Sequence, residues 1–280
     1  MQLTQESDSL AYSRLKHWSR LLVYPQYRDH QRKITRLKKE FSRLKSLPRY
    51  EPTVTDIIGT PIEIVDAASF LWTYPEIFEQ QIYRFRANGE KPYILDGGAN
   101  IGLSVLYFKK LYPKSEIVAF EADDKIFSVL QRNVEKSEYR DIKLIRRALW
   151  SSETSLSFMS EGSDGGRIAQ INDPKSVIVP TVRLRNYLDR AVDFLKLDIE
   201  GAETEVLLDC SDLLCNVENL FVEYHSFVDR PQTLHTLVNI LANAGFRVHI
   251  NPRAASPQPF VCRRVFLGID LNLDIFAFRS

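Results

Sequence analysis

The sequence predicts an α/β protein: a seven-stranded, mostly parallel sheet with an antiparallel last strand, preceded by an N-terminal helical extension. Two observations carry this reading. Short strand-like runs, Tyr93–Leu95, Ile117–Phe120, Ile142–Ile145, Phe194–Leu197 and Asn219–His225, alternate with stretches of helical spacing, as buried parallel strands and their crossover helices do. The first run leads directly into Asp96-Gly-Gly-Ala-Asn-Ile-Gly102, after which Leu103, Leu106, Tyr107 and Leu111 recur at helical spacing. The stretch therefore reads strand, tight glycine turn, helix.

The 280 residues, 44% hydrophobic and 11% aromatic, suffice for one large domain plus an extension. A net charge of +1 hides an asymmetry: residues 1–49 hold twelve Lys/Arg against four Asp/Glu, which leaves 25 basic and 32 acidic residues in the remainder. A basic arm on an acidic body follows. Cys210, Cys215 and Cys262 are odd in number and fit no metal or disulfide spacing, so free thiols in a reducing compartment are expected. No stretch reaches the roughly 18 apolar residues of a membrane span, and the N-terminus lacks the apolar core of a signal peptide. The expectation is a cytoplasmic protein without a transmembrane segment.

Taken in order, residues 1–50 form the basic helical extension. Leu15, Trp18 and Leu22 share one face, which Pro25 interrupts; His30–Lys45 then carries Ile34, Leu37, Phe41 and Leu44 as a narrow apolar seam. The seam suits docking on the body or on a second copy, a homodimer through residues 30–45. A basic helix also suits an anionic membrane surface. Few aromatics and no recognised motif argue against specific nucleic-acid binding. Residues 51–90 read as a hairpin, Val54–Ile58 with Ile62–Val65, and then a helix capped by Ser69 that continues past Pro75, with Glu76 and Tyr83 able to face a ligand.

The main domain spans 91–280. A helix over Ile126–Val134 follows the second strand, and Ala148-Leu-Trp150 follows the third. Residues 151–182 break the alternation with a strand pair, Ser155–Phe158 and Val177–Val179, around the glycine-rich loop Glu161–Gly166, which could border a substrate. Beyond Phe194–Leu197 come a helix over Glu205–Leu214, the strand Asn219–His225, and a helix over Thr233–Ala244 ended by Gly245. A strand Phe246–Ile250, a Pro-containing loop 251–264 and a closing strand Asn272–Phe278 complete the chain.

Gly98-x-Asn-x-Gly102 lacks one glycine of the dinucleotide pattern, which disfavours NAD. Asp96 at the first strand tip would repel a pyrophosphate but suits an amino group. Glu121, closing the second strand, can accept both hydroxyls of a ribose. Asp96, the turn of Gly97, Gly98, Asn100 and Gly102, and Glu121 together describe S-adenosylmethionine: amine, close backbone, ribose. Ala122 beside Glu121 and Asp198 are expected as further cofactor contacts, and the small Ala148 near the third strand tip leaves room for the adenine.

A second cluster, Asp198, Glu200 and Glu203, lies at the C-terminal tip of a buried strand, where open parallel sheets hold ligands. Three carboxylates there repel one another unless a cation offsets them: the sulfonium, a substrate amine, Lys196 or a divalent ion. Glu203 also suits the first turn of the following helix, where its charge complements the dipole. His225 stands beside Glu223 at the next strand tip. With an unperturbed pKa near ~6.5, it is the general-base candidate together with Asp198.

Ile94-Leu-Asp-Gly-Gly-Ala-Asn-Ile-Gly102, Phe120-Glu121-Ala, Phe194-Leu-Lys-Leu-Asp-Ile-Glu-Gly-Ala-Glu203 and Val222-Glu-Tyr-His225 resemble the FkbM family over roughly residues 55–280, with Ala122 where the commoner form has Pro. The resemblance implies a Rossmann-like class I methyltransferase fold. It also implies S-adenosylmethionine-dependent methyl transfer to a hydroxyl of a sugar, polyketide or other secondary metabolite. It carries Asp96, Gly98, Asn100, Gly102 and Glu121 over as cofactor contacts, and Asp198, Glu200, Glu203, Glu223 and His225 as the acceptor end. Two rival readings stand beside it. In one, Asp198, Glu200 and His225 hold a Mg²⁺ that binds the acceptor oxygen, although a metal is not favoured. In the other, a non-catalytic cofactor-binding protein uses its basic arm on membrane or nucleic acid; the acidic cluster argues against that.

Overall fold

The computed structural model describes residues 25–159, 167–168 and 176–279. The helix expected over Leu15, Trp18 and Leu22 and the glycine-rich loop Glu161–Gly166 lie outside the described residues. The chain runs through α1 (Pro25–Lys45), the hairpin β1 (Thr53–Thr55) and β2 (Ile62–Ile64), and α2 (Ala67–Tyr74). Then come β3 (Tyr93–Gly97), α3 (Leu103–Leu111), β4 (Glu116–Phe120), α4 (Asp124–Glu135), β5 (Ile142–Ile145) and β6 (Ala148–Leu149). After β7 (Ser155–Met159), β8 (Arg167–Ile168) and β9 (Ser176–Val182), the main sheet resumes with β10 (Val192–Leu197), α5 (Glu203–Asp209) and β11 (Val217–Phe227). It ends with α6 (Leu234–Asn243), β12 (Arg247–Ala254) and β13 (Ile269–Phe278).

Seven strands form the main sheet in the order β12-β13-β11-β10-β3-β4-β5. β10 pairs in parallel with both β3 and β11, while β13 inserts antiparallel between β11 and β12. This is the Rossmann-like arrangement that the sequence resemblance implies. The chain order reverses between β3 and β10, which opens a crevice at the strand tips there. The strands are apolar on both sides because both faces are covered: Leu95, Leu195 and Leu220 join α5 and α6, whereas Ile94, Phe194 and Phe221 join α3 and α4. β6 to β9 form a separate small sheet beside it.

Several elements differ from their sequence reading for local reasons. The first described helix runs from Pro25, so whether the run over Leu15, Trp18 and Leu22 ends there lies outside the described residues. Phe41 and Leu44 pack against the body, Phe41 edge-on to Tyr74 at 5.7 Å, so half of the seam expected to serve a homodimer is already covered. The cap of α2 is Asp66, not Ser69: its carboxylate accepts from the Ser69 amide at 3.2 Å and hydroxyl at 2.7 Å. β12 continues four residues past Ile250, through Pro252 to Ala254, as an edge strand that tolerates the proline. No helix among the described residues is long and apolar enough to cross a membrane.

Candidate active site

The glycine turn after β3 is fastened on both sides. The Gly98 and Ala99 amides both donate to the Phe120 carbonyl at the end of β4, at 3.0 and 2.9 Å. On the other side the Asp198 amide donates to the Gly97 carbonyl at 3.2 Å, and Lys196 Nζ donates to the carbonyls of Gly97 and Gly98 at 3.2 and 2.9 Å. Gly98 has φ +76°, and a Cβ there would lie 1.8 Å from the Asp198 carbonyl oxygen. Only glycine lets the two strand tips approach this closely.

Glu121 follows β4 and accepts the Asn100 amide on Oε2 at 2.9 Å and the Asp123 amide on Oε1 at 2.8 Å. Asn100 takes φ +48°, which its short polar side chain tolerates. Burial pushes the Glu121 carboxyl up to about 7, against the pull of those amides. Asp123 then caps α4 through the amides of Lys125 and Ile126. Gly98, Asn100, Glu121, Ala122 and Ala148 all face one cavity of about 710 Å³.

Three expected cofactor contacts lie elsewhere: Asp96, Gly97 and Gly102 are not among the cavity-lining residues. Asp96 is wholly buried, accepts the Ser104 hydroxyl at 2.5 Å, and faces Lys196 Nζ at 3.4 Å. Its carboxylate points back into the fold, so it acts on the site through Ser104 and Lys196, both of which do line the cavity. A Cβ on Gly97 would press on Leu149 and Leu197, and one on Gly102 on Leu130, so both glycines serve packing.

The same cavity reaches Asp198, Glu200, Glu223 and His225. Glu200 sits at φ +55° and Gly201 at +95°, a sharp turn that brings the carboxylates round the tip of β10. Glu203, fully buried and outside the cavity lining, closes that turn: one carboxylate oxygen accepts the Ile199 and Gly201 amides at 3.2 and 3.0 Å and meets His225 Nδ1 at 3.1 Å. His225 Nε2 lies 3.3 Å from Glu223 and 3.6 Å from Glu200. Burial alone would lower the imidazole's pKa, but Glu200, Glu203 and Glu223 outweigh it and hold the ring well above its ordinary value. These carboxylates favour the protonated ring, in which neither nitrogen has a lone pair to accept a proton.

Burial and the neighbouring Glu223 charge raise the Asp198 carboxyl, with Lys196 at 3.4 Å opposing. Glu200 is raised chiefly by burial. Glu223 goes the other way: hydrogen bonding to His225 and the charge of Arg253 overcome its burial. Arg253 escaped the sequence reading, which placed it in a loop. It lines the cavity from β12 and pairs with Glu76 at 2.5 Å, Glu223 at 3.1 Å and Asp274 at 3.6 Å. Its only sequence signal is a lone arginine beside a proline after an apolar strand. Glu76 and Tyr83 line the cavity too. Asn272 donates to Glu223 at 2.8 Å, and its buried Oδ1 makes no hydrogen bond.

Asp198, Glu200 and His225 place one potential ligand atom each within 4.8 Å of one another. The fit to a cation is poor, because both ring nitrogens of His225 already face carboxylates and a metal-binding imidazole must be deprotonated.

Residues 96–248 match the family model described as the methyltransferase FkbM domain. Methyltransferase 1 of Beauveria bassiana is 28% identical over 213 residues, which cover 66% of this chain and 84% of that protein. Methyltransferase sdnD of Sordaria araneosa is 30% identical over 172 residues, 48% of this chain and 66% of its own length. The 2-O-methyltransferase NoeI of Sinorhizobium fredii is 24% identical over 155 residues, 48% of this chain and 63% of its own.

Proposed function

The chain belongs to the FkbM methyltransferase family, and on that premise we propose that it is an S-adenosylmethionine-dependent O-methyltransferase acting on a hydroxylated small molecule. One observation carries the reading: a single cavity joins the glycine turn and Glu121 at one end to Asp198, Glu200 and Glu223 at the other. The donor set fits the cofactor. Glu121 offers a carboxylate to the ribose, Ala122 and Ala148 leave room for a flat base, and Gly98 brings backbone close to the methionine end. S-adenosylmethionine supplies a methyl group on a sulfonium, already a good leaving group, so the chain's task is to place an acceptor oxygen in line with it.

Asp198 is the base in this reading. Its raised pKa makes it a better proton acceptor than an ordinary aspartate, and it faces the cavity. Lys196 orients it, and the His225 imidazolium keeps the crowded carboxylates in place. The cations at this end, Lys196, His225 and Arg253, are each committed to carboxylates, which favours a neutral hydroxylated acceptor over an anionic one. Likeness to an O-methyltransferase relative points the same way.

Calorimetric titration with S-adenosylmethionine tests the cofactor assignment. Wild type should bind, and Glu121→Ala should bind at least tenfold more weakly, about 1.4 kcal/mol. Because the Glu121 pKa is raised to about 7, affinity should also rise between pH 6 and 8 in wild type, as the carboxylate ionises and becomes the stronger acceptor, and stay flat in Glu121→Gln. Equal binding by wild type and both variants would remove Glu121 from the site.

The proximity of Asp198, Glu200 and His225 keeps metal assistance as a second reading, distinguished by chelation. Turnover should persist undiminished in EDTA. A loss that Mg²⁺ restores would establish the metal instead.

A further inference from the structure

The cavity mouth carries exposed apolar side chains that methyl transfer does not use. Trp72, on α2, lines the cavity yet is 63% exposed; Phe266, from the β12–β13 connection, lines it and is 73% exposed. That connection, residues 255–268, is an ordered turn. Gln258 bridges Cys262, the Val261 and Cys262 amides both donate to the Gln258 carbonyl, and Ser256 Oγ accepts the Arg264 amide at 2.7 Å. The turn lifts Phe260 and Val261 to its tip, Phe260 completely exposed and Val261 83% exposed.

The charge of this segment is one-sided. From Asn251 to Ile269 the chain has three arginines, Arg253, Arg263 and Arg264, and no aspartate or glutamate, although the chain beyond residue 49 is acidic overall. Arg253 is spent inside the cavity wall, whereas Arg263 and Arg264 are exposed and pair with no carboxylate among the described residues.

We propose that the β12–β13 connection docks this protein on an anionic lipid surface, with Phe260 and Val261 entering the headgroup boundary, Arg263 and Arg264 meeting lipid phosphates, and Trp72 resting at the interface beside the cavity mouth. Three features favour a bilayer over a protein partner. Only two apolar side chains on it, Phe260 and Val261, stand more than four-fifths exposed, whereas a stable protein interface buries about 800 Å² on each side. Its residue types, an aromatic and an aliphatic flanked by arginines without acids, are those that partition into an anionic interface. An indole at the rim suits the zone where one end of a side chain is apolar and the other wet. This surface is separate from the basic N-terminal helix, and its test reads binding instead of turnover.

The experiment is co-sedimentation of the full chain with vesicles of phosphatidylcholine, with and without phosphatidylglycerol. The protein should bind the anionic vesicles and bind neutral ones far more weakly. The double variant Phe260→Ser/Val261→Ser should reduce that binding about tenfold or more. Arg263→Gln and Arg264→Gln should each reduce it roughly fivefold. All variants should keep wild-type melting, because these side chains contact solvent. Absence of vesicle binding by wild type would overturn the proposal. So would binding that the loop variants leave unchanged, which would assign it to the basic helix. A self-association that the double variant abolishes, without vesicle binding, would give the patch to a second copy instead.

Discussion

Gly98→Ala is expected to abolish cofactor binding and to destabilise the fold by about 2–5 kcal/mol, the range in which core clashes and backbone strain fall. The added Cβ would lie 1.8 Å from a backbone oxygen, that of Asp198, and no side-chain rotation relieves such a contact. The residue would also hold φ at +76°, where an L side chain is strained. To escape, β3 and β10 must separate at their tips. That move breaks the Lys196 hydrogen bonds to the turn and shifts both Glu121 and Asp198. Other glycines provide the scale. Gly102→Ala meets the tip of the Leu130 side chain at 2.8 Å, which can shift, and Val134 at an ordinary 3.9 Å, while Gly59→Ala meets nothing within 4 Å. The expected order of destabilisation in urea is therefore Gly98, then Gly102, then Gly59, with the last near 1 kcal/mol from φ alone. Wild-type melting and cofactor affinity in Gly98→Ala would refute the close approach of the two tips.

The second large effect separates two neighbouring groups that sequence reading treated as alternatives. Asp198→Asn should lower kcat by roughly 10²–10⁴ through loss of the proton acceptor. Melting should change little, since the amide keeps the shape and relieves repulsion with Glu223. His225→Gln should do the reverse in stability. It leaves Glu200, Glu203 and Glu223 crowded without their imidazolium and should cost about 3–5 kcal/mol.

The pH dependence of that loss has a definite sign. The folded-state pKa of His225 lies well above its unfolded value, so its stabilisation is complete below about 6.5 and is lost as pH rises through the folded-state pKa. The gap between wild type and His225→Gln should thus be large at neutral pH and shrink in alkali. A gap that widened with pH would mean that the ring is neutral in the fold.

How far the sequence alone reaches can be judged at individual residues. Period and composition determined the strand–helix alternation, because strands buried on both faces must be apolar throughout and helices must repeat every three to four residues. The glycine turn and Glu121 were legible for the same reason: a tight turn against a neighbouring strand leaves few residue types possible, and the acid follows the second strand at a set spacing. Seeing which side chains turn toward the cavity required tertiary structure. Asp96 sits one residue before the turn, but its carboxylate is taken up inside the fold by the Ser104 hydroxyl and Lys196, partners that only the packed structure brings to it. Arg253 reaches Glu76 across 177 positions of sequence, a pairing that no local pattern encodes. The protonation of His225 depends on three carboxylates from two strand tips and a helix start, all within 3.6 Å. Charge state is a property of that whole assembly and of its exclusion of water, so residue type at one position cannot determine it.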